Sequence, residues 1–207
     1  CTRRSFRNGR KWEGFKVERV LEHIKILVDL GITEIEFADD EFTGGRVPER
    51  LKRIEKLADG IEDIRKNKGV NLTFRIFTRP DIVYKEKDEE GNLRIRNLLL
   101  RLKDVGLVKV FIGIEGGCSS QLKRYARGIT LEQNKKALEI LRGLDIAIDA
   151  GFIMFDPDLT VEEMVEDIRF FKAQNLLPSN QWPYRPLVLN EGAWLKNKLE
   201  KEGLITG

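Results

Sequence analysis

Charged side chains stand at the ends of four apolar segments: Asp39 and Asp40 after residues 32–38, Arg79 after 70–77, Glu115 after 107–114 and Asp156 after 146–155. Carboxylates in such places suit a bound ammonium or hydroxyl group, because a charge-assisted hydrogen bond is stronger than a neutral one. Arg79 suits a carboxylate or phosphate, which its planar fork can grip with two parallel bonds. Glu115 is followed by Gly116 and Gly117, and glycines let backbone approach a ligand closely. His23 is the only histidine and sits in a helical pattern beside Glu22 and Lys25. That removes His-based zinc sites and Ser–His or Cys–His hydrolysis unless His23 itself serves. The two cysteines, Cys1 and Cys118, make no disulfide framework and point to a reducing compartment. Chemistry here must run on carboxylates, arginines, cysteine or a bound cofactor.

Such groups act together only if a scaffold converges the segment ends. Val17, Val20, Leu21, Ile24, Leu27 and Val28 recur at helical spacing, and Gly31 follows as a cap. Residues 32–38 alternate as a strand. Leu51, Ile54, Leu57, Ile61 and Ile64 mark a helix that starts near Val47 and ends at Gly69, and residues 70–77 form the next strand. A short helix over 98–105 leads to a strongly apolar strand over 107–114. Thr130 with Gln133, and Thr160 with Glu163, have the form of capping boxes. The first opens a helix to Gly143. The second opens one expected to bury Val161, Met164, Val165, Ile168 and Phe171. Residues 146–155 form a strand between them. A last candidate strand covers 181–189, before a short helix around 194–199. The polar segment 85–92 (KEKDEEGN) is the best candidate for a mobile loop.

Strands alternating with helices imply crossover connections and a mostly parallel sheet, in one domain spanning 1–207. The apolar run 108–114 fits a strand buried on both faces. An open doubly wound sheet and a β/α barrel both satisfy the pattern. Four charged strand ends in succession favour the barrel, whose C-terminal strand ends share one mouth. The formal net charge of +3 gives no reason to expect a nucleic-acid partner. The basic group Arg3, Arg4, Arg7, Arg10 and Lys11 reads as a solvated loop or a phosphate contact. No apolar run approaches the ~20 residues that span a bilayer, and the basic start is not a signal peptide.

Taken in order, the segments resemble the radical S-adenosylmethionine (SAM) enzymes. CTRRSFRNGRKWEGFKVERVLEHIKIL is similar to the stretch that follows that family's C-x3-C-x2-C motif, particularly in members found behind a cobalamin-binding domain. EIEFADDEFT, FTRPDIV, VFIGIEGG, RGITLEQNKKALEIL and GFIMFDPDLTVEE resemble its second to fifth strands with their turns. The resemblance covers essentially the whole chain. It implies an α/β fold, a partial parallel (β/α)6 TIM-like barrel with its first strand missing, in a fragment of a longer protein.

It also implies roles for residues. Cys1 would be the third thiolate of a [4Fe–4S] cluster, the first two being absent. Asp39 or Asp40 would meet the SAM ammonium, and the sequence does not choose between them. Glu115, Gly116 and Gly117 would meet its ribose or amino group, with Gly116 where the family usually has serine. Arg127 would pair with the SAM carboxylate. Arg79 and Asp156 face the same mouth as substrate groups, or else as scaffold, Arg79 with Asp81 or Glu115 and Asp156 shaping the turn. Cys118 is expected as a small buried residue, and Trp182, Pro183 and Tyr184 as aromatic packing or an adenine contact. The implied activity is reductive cleavage of SAM to a 5′-deoxyadenosyl radical for modification of a small-molecule or peptide substrate. It would occur in the cytoplasm, with electrons from a flavodoxin or ferredoxin and with cobalamin carried by a domain outside this chain. The fragment alone is expected to be inactive. The residues themselves leave two alternatives: a barrel binding a phosphorylated metabolite through Arg79 and the 116–117 turn, and a non-catalytic barrel used for interaction.

Overall fold

Residues 14–39, 41–176, 189 and 194–205 are described by a computed structural model. Helix α1 (Val17–Asp29) leads to strand β1 (Glu34–Glu36), then α2 (Pro48–Lys68) and β2 (Thr73–Thr78). Short α3 (Pro80–Val83) and α4 (Glu89–Asp104) precede β3 (Leu107–Glu115); α5 (Ser119–Arg124) and α6 (Leu131–Gly143) precede β4 (Ala147–Phe152). Helices α7 (Val161–Ala173) and α8 (Trp194–Lys201) follow. The candidate strand at 181–189 lies, apart from residue 189, outside the described residues, as does the Trp182–Tyr184 cluster.

The local signals work as chemistry predicts. Pro48 opens α2, where its missing N–H is no loss, and Gly69 closes it in a left-handed conformation at φ 63°. Both capping boxes form, each with its two reciprocal hydrogen bonds. The segment 85–92, expected as a polar loop, runs into a helix. Asp88 caps α4 by accepting from the Gly91 N–H at 3.0 Å, so the helix begins at Glu89 and not near residue 98. Arg46 fastens this turn, pairing with Asp88 at 3.1 Å and donating to Asn92 at 3.0 Å. Acids that look like a solvated loop are instead a first helical turn, where negative charge is favourable.

All strand pairs are parallel, in the order β1-β2-β3-β4. Crossovers of the usual right hand, without a reversal of order, put the connecting helices on one side of the sheet. Burial agrees. Phe74, Ile76, Val110, Ile112, Ala150 and Phe152 are buried, while Arg75, Phe77, Lys109, Phe111 and Asp149 on the alternate positions are partly exposed. The expected two-sided burial of 108–114 is therefore corrected: helices cover one face and the other is open. That is the layout of a β/α barrel and not of a doubly wound sheet. Among the described residues the four strands do not close, so the barrel is partial. No helix among them is long and apolar enough to cross a membrane.

Helix α7 is rotated from its expected facing. Glu163, Asp167, Phe170 and Phe171 are buried, whereas Val161, Val165 and Ile168 are 66%, 38% and 40% exposed. Glu163 turns inward to pair with Arg124 at 2.5 Å, and Asp167 accepts the Gly117 N–H at 2.8 Å. Hence Val165→Lys should change unfolding free energy by no more than about 0.5 kcal/mol, as ordinary surface substitutions do. A loss of several kcal/mol in a urea titration would restore the apolar-face-in orientation.

Candidate functional site

Parallel pairing sets the carboxyl ends of β1 to β4 along one edge. Glu115 ends β3 with φ 62°, a region that L side chains rarely adopt. The Gly116 N–H donates to the Ile114 carbonyl at 2.7 Å, closing a three-residue turn around it. The Glu115 carboxylate is mostly buried and pairs with Arg127 at 2.9 Å. Strained residues of this kind persist only where surroundings hold them, and they gather at functional sites.

Just before that turn, Gly113 of β3 lies beside Gly151 of β4. A Cβ on Gly113 would sit 2.8 Å from the Glu115 carboxylate, and one on Gly151 would sit 2.6 Å from the Phe111 ring. The Phe111 and Phe77 rings lie 4.9 Å apart on the same open face. The two adjacent glycines therefore make room for the side chains that lie over them, the Glu115–Arg127 pair over Gly113 and the Phe111 ring over Gly151.

Arg79 resolves in favour of one of the partners that its sequence left open. Its guanidinium grips Asp81 with two bonds, at 2.8 and 3.1 Å, and donates to the Arg127 carbonyl at 3.0 Å. It therefore supports Arg127, which in turn meets Glu115. Asp156, left open between substrate group and scaffold, is engaged by its neighbours. Its side chain is 2% exposed and meets Arg124 at 3.2 Å, the Tyr125 hydroxyl at 2.7 Å and the Asp158 N–H at 2.9 Å. Burial, reinforced by the Asp156 charge, pushes the Tyr125 hydroxyl well above its ordinary range. Cys118 is fully buried, and burial pushes its thiol up.

Asp39 is exposed, its charge felt by Arg53, while Asp40 and Cys1 lie outside the described residues. Of the two described acids, Asp39 and Glu41, Glu41 is the one drawn inward. It accepts from the Thr43 hydroxyl at 2.7 Å and the Thr43 N–H at 3.1 Å, and burial raises its carboxyl above the ordinary value. Phe42 anchors this loop by donating its N–H to the Phe77 carbonyl at 2.9 Å. Three consecutive acids gave no sign of which one turns in.

The residues at the strand ends suit a ligand that carries both charges. A carboxylate and a guanidinium stand side by side, and the Arg127 side chain is 28% exposed, so part of its guanidinium faces solvent although its Nε is buried. Among the described residues no cluster of histidine, cysteine, aspartate or glutamate could hold a metal ion.

Comparison with known proteins agrees. The chain is 30% identical over 177 residues to 4'-phospho-dehydrooxetanocin synthase of Priestia megaterium, covering 81% of this chain and 23% of that protein. Its fold matches the cobalamin-dependent S-adenosylmethionine radical enzyme OxsB with aqua-cobalamin bound, at TM-score 0.78 and 22% identity, over 95% of this chain and 33% of that one. It also matches the radical S-adenosylmethionine methyltransferase TsrM from Kitasatospora setae, at TM-score 0.57 and 17% identity, over 77% of this chain and 29% of that one. The chain thus spans between a fifth and a third of the length of these relatives. The family model described as the Radical SAM superfamily matches residues 1–171, and with the open-faced parallel sheet and its strand-end ion pair this chain belongs to the radical SAM superfamily.

Proposed function

We propose that this chain is the SAM-binding β/α domain of a longer radical SAM enzyme. The observation that carries the reading is the Glu115–Arg127 pair at the end of β3, for which Gly113 leaves room. Glu115 accepts from the ribose hydroxyls or the amino group, and Arg127 offers the solvent-facing part of its guanidinium to the carboxylate. Glu41, with Asp39 or Asp40, supplies negative charge for the ammonium at the end of β1. Gly116 and Gly117 shape the turn that carries Glu115. Phe77 and Phe111 give the adenosyl group an apolar wall that limits water at the reacting carbon.

Cys1 is proposed as a cluster thiolate on the family resemblance, and the described residues add no other ligand. When bound, a [4Fe–4S] cluster supplies the electron that cleaves SAM to methionine and a 5′-deoxyadenosyl radical. The oxygen sensitivity of such clusters and the absence of a disulfide framework support a cytoplasmic protein, served by a flavodoxin- or ferredoxin-like donor. Of the structural relatives, OxsB is cobalamin-dependent and TsrM is seen with cobalamin bound, which supports cobalamin on a domain outside these residues. The substrate is proposed as a small molecule or peptide entering the open face. A phosphate-binding barrel is disfavoured, because Arg79 already holds Asp81.

Anaerobic reconstitution of the full-length protein, with 5′-deoxyadenosine measured after reduction, tests the proposal. Reductant-dependent release of 5′-deoxyadenosine is expected. No cleavage, with no broad visible absorbance from a cluster, would overturn it.

A further inference from the structure

We infer that Asn134 and Asp167, assisted by Gln121, are positioning residues that aim the Glu115 carboxylate from behind the sheet. The inference rests on the reading of Glu115 as a contact for an adenosyl ligand. Each of the three comes from a different helix, and each is 0% exposed, so a ligand on the open face does not reach them.

Asn134 Nδ2 donates to the Ile114 carbonyl at 2.9 Å and to the Gly116 carbonyl at 3.1 Å, gripping the turn on both sides of Glu115. Asp167 accepts from the Gly117 N–H at 2.8 Å. The Glu115 carbonyl accepts from the Ile153 N–H at 2.9 Å, and Gln121 Nε2 in turn donates to the Ile153 carbonyl at 3.0 Å. With the Gly116 N–H on the Ile114 carbonyl, each backbone carbonyl from Ile114 to Gly116 and the N–H groups of Gly116 and Gly117 are claimed. A non-glycine residue at φ 62° is over-determined in this way, and not merely tolerated.

The grip is maintained against a bias toward simpler packing. Asn134 Oδ1, Asp167 Oδ2 and Gln121 Oε1 are all buried without a hydrogen-bond partner. Buried polar atoms left unpaired destabilise a fold, and apolar side chains would fill the same space without that penalty. The glycines also change meaning. A Cβ on Gly116 would fall 2.2 Å from Gln121 Oε1, and one on Gly117 would fall 2.7 Å from the Phe170 Cβ. Both positions are small so that the helix residues can reach the turn.

The test uses the 207-residue chain and S-adenosylhomocysteine, an adenosyl ligand that needs no cluster. Affinity is read by calorimetry, folding by thermal unfolding, and the turn by amide hydrogen exchange at Gly117. Asn134→Leu and Asp167→Leu should weaken binding by about tenfold or more while the chain stays folded, as displacement of a contact by about 1 Å does. Asp167→Asn keeps an oxygen for the Gly117 N–H and should bind within about threefold of the parent, a difference under 1 kcal/mol. Gly117 exchange should quicken in Asp167→Leu and not in Asp167→Asn. If Asn134→Leu does not fold, Asn134→Ala carries the same expectation. Folded leucine variants that bind like the parent would overturn the positioning role and leave the proposed function standing. A parent chain that binds no S-adenosylhomocysteine would overturn the reading of Glu115, and this inference with it.

Discussion

Glu115→Ala and Glu115→Gly should lose cofactor use alike but differ in stability, with the glycine variant the more stable by about 1 kcal/mol. Removing the carboxylate takes away its charge-assisted hydrogen bond to the ligand, worth about 1.5–3 kcal/mol, so affinity for SAM should fall by about tenfold or more. The loss is shared because neither variant keeps a carboxylate at this position. The stabilities part because the backbone at residue 115 is held at φ 62°. An L side chain in that region costs about 1–2 kcal/mol and glycine avoids it, although glycine gives back part of the gain through its freer unfolded chain. Urea unfolding of the two variants reads the difference directly. Equal midpoints would mean that the turn is unstrained. Undiminished turnover of SAM in either variant would remove Glu115 from the site.

The parallel sheet and its edge of charged strand ends were legible because both depend on local pattern. Apolar periodicity marks each element, and parallel pairing brings the ends together without further information. The capping boxes at Thr130 and Thr160 are equally local and formed as read. The orientation of α7 was not legible for the opposite reason. The apolar stripe Val161, Val165 and Ile168 competes with the polar pair Glu163 and Asp167, and distant partners decide the contest. Arg124 lies 39 residues from Glu163, and the Gly117 N–H lies 50 residues from Asp167. The same limit hid Glu41 among three acids, since what draws it inward is a loop fold that seats it against Thr43 and Thr78. The place of Asp156 in the sequence allowed either a substrate group or a turn former, and Arg124 and Tyr125 occupy its carboxylate. Position at a strand end therefore nominates residues. Only the partners that reach them from other elements separate ligand contacts from scaffold.

Asp167 gives the fold a pH dependence of unusual sign for a carboxylate. Its carboxyl is pushed up to about 6 from 3.8, chiefly by burial, with smaller increments from Glu163 and Glu166 on its own helix. The Gly117 N–H and the Gln121 amide pull the other way, and Cys118, which also feels the Asp167 charge, is held neutral by its own burial. Because the folded chain holds this proton more tightly than the unfolded one, the contribution to stability is complete below about pH 4. It is lost as pH rises through about 6, a change of roughly 2–3 kcal/mol. Glu163 acts in the opposite sense, since Arg124 holds its carboxyl low and its contribution fades only as pH falls below the ordinary carboxylate range. Glu41, whose carboxyl burial also raises, adds a slope of the same sign, so the comparison with Asp167→Asn is what isolates Asp167. Asp167→Asn should flatten the slope in the interval from about pH 4 to 6 and leave the chain more stable than the parent at neutral pH by a similar amount. Parallel curves for the two proteins in urea titrations across that interval would show that the folded state does not raise the Asp167 carboxyl. An asparagine would accept the Gly117 N–H at no such cost. The aspartate therefore holds the turn beneath Glu115 with a buried negative charge at neutral pH, at the expense of the stability of the fold around it.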